Sequence, residues 1–349
     1  MTDFLHANSL WNRDAGAFQS IVHEPFPDFL HRELEARYQS VFCTLARILG
    51  TQAADEVATY IAGEGRQPST IVVFRRSKGL ITVLNEYFAM SASELEQMAR
   101  HLFSALPGVR VISLPSVEAG KEPMSLTAQR FNSSEDIVVS LPTTPEEYLV
   151  SLGSNTRAAI RRSEKMMEQR YPELEFAVYD RNSGGRDLID RLVELSRRRI
   201  TNKRQVPSHN DRSTGELLRM VEAYGVVLVA RMKGQVCGGV ICTQVGTHTY
   251  MHVVTHDSAF DDMRLGMLCC YKSICDAIRR GAREYHLLSG KYDYKFRFLG
   301  HQRDYEKIVI YRSLLGVLPN LPTYIHTLVR GKGRLGKQRL TAWRRKWKT

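Results

Sequence analysis

Between Gly225 and Gly300 the spacing of apolar and polar residues changes period three times. Residues 225–257 (GVVLVARMKGQVCGGVICTQVGTHTYMHVVTHD) fall into three runs rich in Val, Ile, Thr and Tyr, parted by Lys233-Gly234 and Val245-Gly246. Alternation of this kind between glycine turns predicts an antiparallel meander. The period then lengthens. Met267, Cys270, Tyr271, Ile274 and Ile278 recur at helical spacing, and Gly281 supplies a C-terminal stop. AREYHLLSG (282–290) returns to a strand pattern, and KYDYKFRFLG (291–300) follows as a loop dense in polar and aromatic residues. The predicted order is strand, strand, strand, helix, strand, decorated loop.

The first part of the chain carries a shortened echo of that order. Residues 1–65 read as mainly helical, with Leu30, Leu34, Tyr38, Phe42, Leu45 and Leu49 at helical spacing over 29–49. Strands are predicted at 70–76 and 80–88, joined by the hairpin signal Ser77-Lys78-Gly79. A helix opens at Ser91 or Ser93 with Leu95, Met98 and Leu102 on one face, and 109–114 is again a strand. Further on, a strand at 136–142 leads through Thr143 or Thr144, with Glu146 and Glu147 in the first turn, into a long helix reaching Arg170. A strand at 174–180 and a helix at 186–200 follow, the latter ending in Arg197–Arg199, which suits a helix C-terminus. The polar loop to 212 reads as a substrate-facing flap, 213–224 as a short helix, and 304–316 as a closing strand.

Composition adds a charge asymmetry. The chain of 349 residues has a formal net charge of +12, but residues 330–349 hold nine Lys and Arg and no acid, leaving +3 for everything before them. The basicity therefore belongs to a tail, which argues against the whole fold being a nucleic-acid binder. Trp343 and Trp347, four apart among those charges, suit the headgroup zone of an anionic membrane; an RNA backbone or a merely solubilising tail gives the same composition. No apolar run is long enough to span a bilayer, and the N-terminus lacks a signal-peptide layout, so a cytoplasmic protein is expected, peripheral at the inner membrane face if the tail binds lipid. The six Cys lie in apolar contexts without metal-ligand spacing to His, and no metal is expected.

Two segments carry candidate chemistry by spacing. Arg264, Leu265, Gly266, Met267 and Leu268 open a helix soon after a strand, where free backbone N–H groups and the helix dipole favour an anion such as a pyrophosphate. An ordinary helix start reads the same way. Arg157 and Arg161 share a helical face, with Arg162 beside them, and paired guanidinium groups suit a phosphate or carboxylate. A solvated face neutralised by Glu164 is the other reading.

The arrangement resembles the acyl-CoA-binding core of the GNAT acetyltransferases. It is similar in particular to the branch grouped with FemAB-type peptidoglycan transferases and with acetyltransferases encoded beside cellulose and exopolysaccharide genes. The resemblance rests on Asp257, on Arg264-Leu265-Gly266-Met267 before the helix, and on Gly290 with Tyr294-Lys295 after the next strand; Ser154-x-x-Arg157-x-x-x-Arg161-Arg162 matches a basic segment of the branch. Of the usual phosphate fingerprint only Gly266 has a counterpart.

This resemblance implies an α/β fold with a GNAT-like mixed sheet flanked by helices. It also implies two related halves, a degenerate one at 1–134 and a complete one at 135–318, before the tail at 319–349. The activity it implies is transfer of an acyl group from acyl-CoA, with acetyl-CoA first, to an amine or hydroxyl on a small molecule, a sugar or an envelope precursor. The alternatives are a FemAB-type transferase using aminoacyl-tRNA and a non-catalytic module in a polysaccharide-synthesis complex. In the GNAT layout the fourth strand positions a base, which points to His256 with Asp257, then to His252; period-two alternation puts His248, Tyr250 and His252 on one face. A Tyr beyond the fifth strand is the acid, so Tyr292 and Tyr294 are candidates. Lys295 would stabilise negative charge, and Asp293 would hold it or orient the acceptor.

Overall fold

The structure is a computed structural model that describes residues 17–23, 26, 28–50, 57–65, 67–181, 183, 186–202 and 211–313. The tail at 319–349 and most of the expected flap lie outside the described residues, and so do residues 1–16.

The first half runs β1 (Ala17–His23), α1 (Asp28–Tyr38), α2 (Leu45–Leu49), β2 (Val57–Glu64), β3 (Gln67–Ser77), β4 (Leu80–Val83), β5 (Phe88–Met90), α3 (Ala92–Ala105), β6 (Val111–Ala119) and β7 (Ala128–Ser140). The second runs α4 (Pro145–Ser151), α5 (Ser154–Arg170), β8 (Leu174–Asp180), α6 (Arg186–Asn202), α7 (Asp211–Tyr224), β9 (Gly225–Met232), β10 (Gln235–Val245), β11 (His248–His256), α8 (Leu265–Arg279), β12 (Glu284–His286), α9 (Asp293–Arg297) and β13 (His301–Tyr311).

One order recurs in both: a strand, two helices, three strands, a helix, a strand. It is β1-α1-α2-β2-β3-β4-α3-β6 in one half and β8-α6-α7-β9-β10-β11-α8-β12 in the other, β5 being a short addition. All thirteen strands form one mixed sheet, ordered β1-β2-β3-β4-β6-β13-β7-β12-β11-β10-β9-β8 with β5 beside β6. Parallel pairs occur at corresponding places, β4 with β6 and β11 with β12.

At the centre the halves exchange strands. β13, from the end of the second half, pairs antiparallel with β6 of the first. β7, from the end of the first half, pairs antiparallel with β12 of the second, and β7 and β13 pair with each other from Ala128↔Ile310 to Val138↔His301. Ile308 and Ile310 of β13 are fully buried among Val72, Phe74, Ile112 and Leu114 of the first half. Ile137 and Val139 of β7 are buried against Leu268 and Tyr285 of the second. The expected boundary between 134 and 135 falls inside β7.

Three expectations need correction. Residues 1–65 are not mainly helical, because they include β1 and β2. Six of the eight residues of β2 are buried in succession, a continuous apolar run that periodicity cannot tell from a helix. The helix expected over 29–49 is two. Gln39 takes a left-handed φ of 47°, its side-chain oxygen accepts from Thr247 N at 2.7 Å, and its carbonyl accepts from the Tyr250 hydroxyl. The break docks the first half onto the second. The long helix from 144 also divides, at Leu152-Gly153, and Arg157 Nη1 donates to the carbonyls of Val150 and Leu152 at the end of α4.

Two of the turn signals are realised as written, whereas Val245 stays in β10 paired with His248 and the third turn is Gly246-Thr247. Lys78-Gly79 and Lys233-Gly234 both have two positive φ values, the two-residue turn whose twist matches the flanking strands.

Because each half is completed by the other's last strand, a chain ending at Gly300 loses the strand that covers both β6 and β7. We expect it to show no cooperative thermal unfolding by circular dichroism. A cooperative transition near that of the full chain would show that the exchange is dispensable.

Candidate functional site

Strand β11 carries a bulge. Ile241 of β10 faces Val253 while the next residue, Cys242, faces Met251, so His252 is the extra residue. A bulge shifts the alternation by one and re-aims the side chains beyond it. His248, Tyr250 and His252 remain on the face toward the first half, where Phe42 packs near both Tyr250 and His252, and His252 Nε2 lies 2.8 Å from Thr243 Oγ1. His256 therefore emerges on the opposite face, that of α8.

There it lines a cavity of about 940 Å³ bounded by the first turns of α5 and α8 and by α9. His256 is 5% exposed. Its Nε2 lies 2.6 Å from Asp261 Oδ1. An ionised carboxylate only accepts, so Nε2 carries the proton and Nδ1 is the basic nitrogen. Asp257, the expected partner, is otherwise engaged: its side chain accepts from Ala259 N and caps a short 3-10 turn. The acid that orients His256 is Asp261.

The first turn of α8 opens on the same cavity. Arg264, the residue before Leu265, has φ 54° and ψ 44°, and no side chain caps the helix. By position the amides of Leu265 and Gly266 have no intrahelical acceptor, so the positive end of the helix is available to an anion. Leu265 and Leu268 turn their side chains into the core, whereas Arg264, Gly266 and Met267 line the cavity. Gly266 is required sterically. A Cβ built there stands 2.5 Å from His256 Nδ1, so the imidazole packs directly on the helix start.

The loop after β12 supplies the other wall. Tyr294 is largely buried and lines the cavity. Burial pushes its phenol above the usual value, so it stays protonated. Tyr292 is 61% exposed and stacks on Tyr294, outside the cavity. Asp293 is exposed in the first turn of α9.

Lys295 is placed differently from its expected role. It is 3% exposed, and its Nζ donates to the carbonyls of Leu287, Leu288 and Ser289 at 2.6, 2.9 and 2.7 Å. All three ammonium donors are thus committed. They hold a turn in which Leu288 has a left-handed φ of 59°, and burial lowers the lysine to about 8.

Of the basic segment on α5, Arg157 caps α4, and Arg161 and Arg162 are exposed away from the cavity; Asn155, Thr156 and Ala159 line it instead. Sequence reasoning missed Asp261 and also Arg199, which reaches the cavity from α6. The adjacent acids of Ser258-Ala259-Phe260-Asp261-Asp262 were the available signal for the first.

In the first half, α3 occupies the place of α8, but its N-terminus is closed. Ser91 and Glu94 form a reciprocal capping box, and Arg37 pairs with Glu94 at 2.8 Å. A carboxylate of the chain already fills the position an anion would take. Of these two helices, α8 presents the open start.

Residues 154–296 match the family model described as an acetyltransferase (GNAT) domain. The fold of this region is of the GNAT type. The match covers most of the cavity lining, with Gly153, Arg297, Phe298 and Leu299 just outside it. No curated protein matches the chain in sequence.

Among solved structures, FemX is similar in fold with a TM-score of 0.61 over 83% of this chain and 96% of its own, at 8% identity. L-PGS from Bacillus licheniformis has a TM-score of 0.53, covering 89% and 98% at 13% identity. The C-terminal domain of a candidate lysylphosphatidylglycerol synthetase from Agrobacterium fabrum reaches 0.50 over 85% and 95%, at 10% identity. At these identities the likeness is one of fold, and it extends over both halves. Among the described residues no helix is long and apolar enough to cross a membrane.

The Lys295 clamp makes a stability prediction. Lys295→Met keeps the length of the stem and removes every donor, leaving the carbonyls of Leu287, Leu288 and Ser289 without their partner. The expected cost is about 3 kcal/mol, seen as a melting temperature lower by several degrees. An unchanged Tm with lost turnover would return Lys295 to the reacting centre.

Proposed function

We propose that the chain is an acyltransferase that takes an acyl group from acyl-CoA, with acetyl-CoA first, and passes it to an amine or hydroxyl. One observation carries the reading: an uncapped helix start, a carboxylate-oriented histidine and a protonated tyrosine converge on one cavity. The amides of Leu265 and Gly266, with Arg264, receive the phosphates of the carrier. His256, held by Asp261, takes the proton from the acceptor as its nitrogen or oxygen attacks the thioester carbonyl, once substrate binding turns its buried Nδ1 off the Gly266 turn. Tyr294 gives its proton to the departing thiolate as the carbon–sulfur bond breaks. The acceptor is a sugar or envelope precursor in this reading, and the basic run at 330–349 would keep the enzyme near an anionic membrane face.

A second reading, aminoacyl transfer from tRNA, is favoured by the likeness to FemX and to the lysylphosphatidylglycerol synthetase domain, which spans both halves. It uses the same cavity with a larger carrier. Thermal-shift titration separates the two, since a bound donor raises Tm by mass action. The expected result is a rise with acetyl-CoA or CoA. A rise with aminoacyl-tRNA and none with any CoA species assigns the second reading, and no rise with either overturns the donor site.

Two variants test the parts. Arg264→Gly keeps a residue that tolerates positive φ and removes the guanidinium. It is expected to hold or raise Tm while raising the donor KM about tenfold, the value of one charge-assisted contact. His256→Gln is expected to lower kcat by roughly a hundredfold or more, with donor KM little changed. A change confined to KM would place His256 in the phosphate cradle instead.

A further inference from the structure

A second polar cluster lies at the exchange junction, on the opposite face of the sheet from the α8 cavity. It is built on four neighbouring strands: Arg303 on β13, Asp136 on β7, Glu284 and His286 on β12, and His248 on β11. His286 Nε2 lies 3.2 Å from His248 Nδ1 and 3.3 Å from Glu284 Oε2, and those two are 3.7 Å apart. We propose that His248, Glu284 and His286 form a binding site for a divalent first-row metal ion of the zinc type, with an open coordination position facing the crevice between the halves.

Three observations carry this. The first is the triangle. Two ligands of a tetrahedral zinc with bonds of about 2.1 Å stand about 3.4 Å apart, and the three separations here bracket that value. Two imidazoles and one carboxylate also make a donor set that zinc takes when one position stays open.

The second is the support behind the ligands. His286 Nδ1 lies 2.6 Å from Oδ2 of Asp136, which is 1% exposed. A carboxylate on the far nitrogen fixes the tautomer and makes Nε2 the coordinating atom. Tyr250 stacks on the His286 ring at 4.2 Å between centroids and holds its plane. Arg303 grips Glu284 through two bonds, of 2.9 and 2.8 Å.

The third is access. His248 and His286 line a crevice of about 290 Å³ whose other walls include Tyr38 and Tyr87 of the first half and Tyr305 of β13. An ion seated on the triangle would meet solvent or a small oxygen ligand there. Without an ion, His286 serves as a hydrogen-bond donor to Asp136 and Glu284. An ion replaces the proton at Nε2 and leaves the one at Nδ1 on Asp136.

The test uses the full chain without an affinity tag, stripped with chelator and titrated with Zn²⁺ against a chromophoric competitor. One tight equivalent is expected, with a rise in Tm on loading. His248→Ala is expected to keep the metal-free Tm and lose the equivalent, Glu284→Gln to lose it with a lower metal-free Tm because the Arg303 pair is broken, and Asp136→Asn to weaken it 10–100-fold. His31→Ala, which removes the exposed His31–Glu35 pair at 3.0 Å, is expected to change nothing. Co²⁺ in place of Zn²⁺ is expected to give the visible absorption of a four-coordinate ion without thiolate charge transfer, because all six Cys are buried elsewhere. Failure of the wild type to bind one equivalent, an equivalent that survives His248→Ala, or a thiolate band would each overturn the site.

Discussion

Everything in this molecule is arranged around the antiparallel pairing of β7 with β13. Each strand ends one half of the chain and is buried in the other, so the two halves close one another's sheets. The cost of such pairing is loop-closure entropy over most of the chain, and the return is the removal of two sheet edges that would otherwise stand open at β6 and β12. The pairing also explains why helix-breaking residues fall where they do. Gln39 leaves the helical region because its amide oxygen and its carbonyl are needed by Thr247 and Tyr250 on the other half. A local propensity yields to a contact two hundred residues away.

Within this near-symmetry the two halves differ at one chemically decisive place. The helix after the fourth strand of each repeat begins with free amides, and what those amides meet decides whether the half can hold an anion. In α3 they meet Ser91 and Glu94, and the carboxylate is in turn paired with Arg37. In α8 the preceding residue is a left-handed Arg264, and Gly266 lets the His256 ring lie against the turn. One repeat has become a scaffold, and the other keeps an open site. The distinction is made by a few side chains, with the backbone path retained.

Much of the second half was legible in the sequence because its elements are strongly periodic and its turns use Gly in the left-handed region. The meander and α8 follow from spacing alone. The first half was less legible. β2 is buried on both faces and shows no alternation, and the α1–α2 break depends on a partner that sequence does not reveal. At the site, the chain position of His256 was readable but its partner was not. Proximity in sequence favoured Asp257, whereas the 3-10 turn that Asp257 caps brings Asp261 round to the imidazole. Lys295 was singled out as a charge stabiliser because sequence cannot show that three carbonyls surround it. His248, Glu284 and His286 stand on two strands that are adjacent only after folding, so no spacing rule joins them.

The three-residue strand β12 connects the two polar centres. On one side its Glu284 and His286 belong to the junction cluster with Asp136 and Arg303. Immediately after it, the carbonyls of Leu287, Leu288 and Ser289 are drawn onto Lys295, and Leu287 N donates to Ile137 O of β7 at 2.7 Å. Lys295 in turn sits in α9 between Tyr294 and Phe296, which wall the α8 cavity. Beyond the ladder that pairs it with β12, the exchanged strand β7 holds this region through the Asp136–His286 side-chain pair and through the main-chain bond from Leu287 to Ile137. A shift of β12 along its own axis would disturb the Lys295 turn and the His286 pair together. Since a buried cluster of fixed hydrogen bonds resists gradual deformation, the geometry of α9 at the α8 cavity is tied to the seating of the first half on the second.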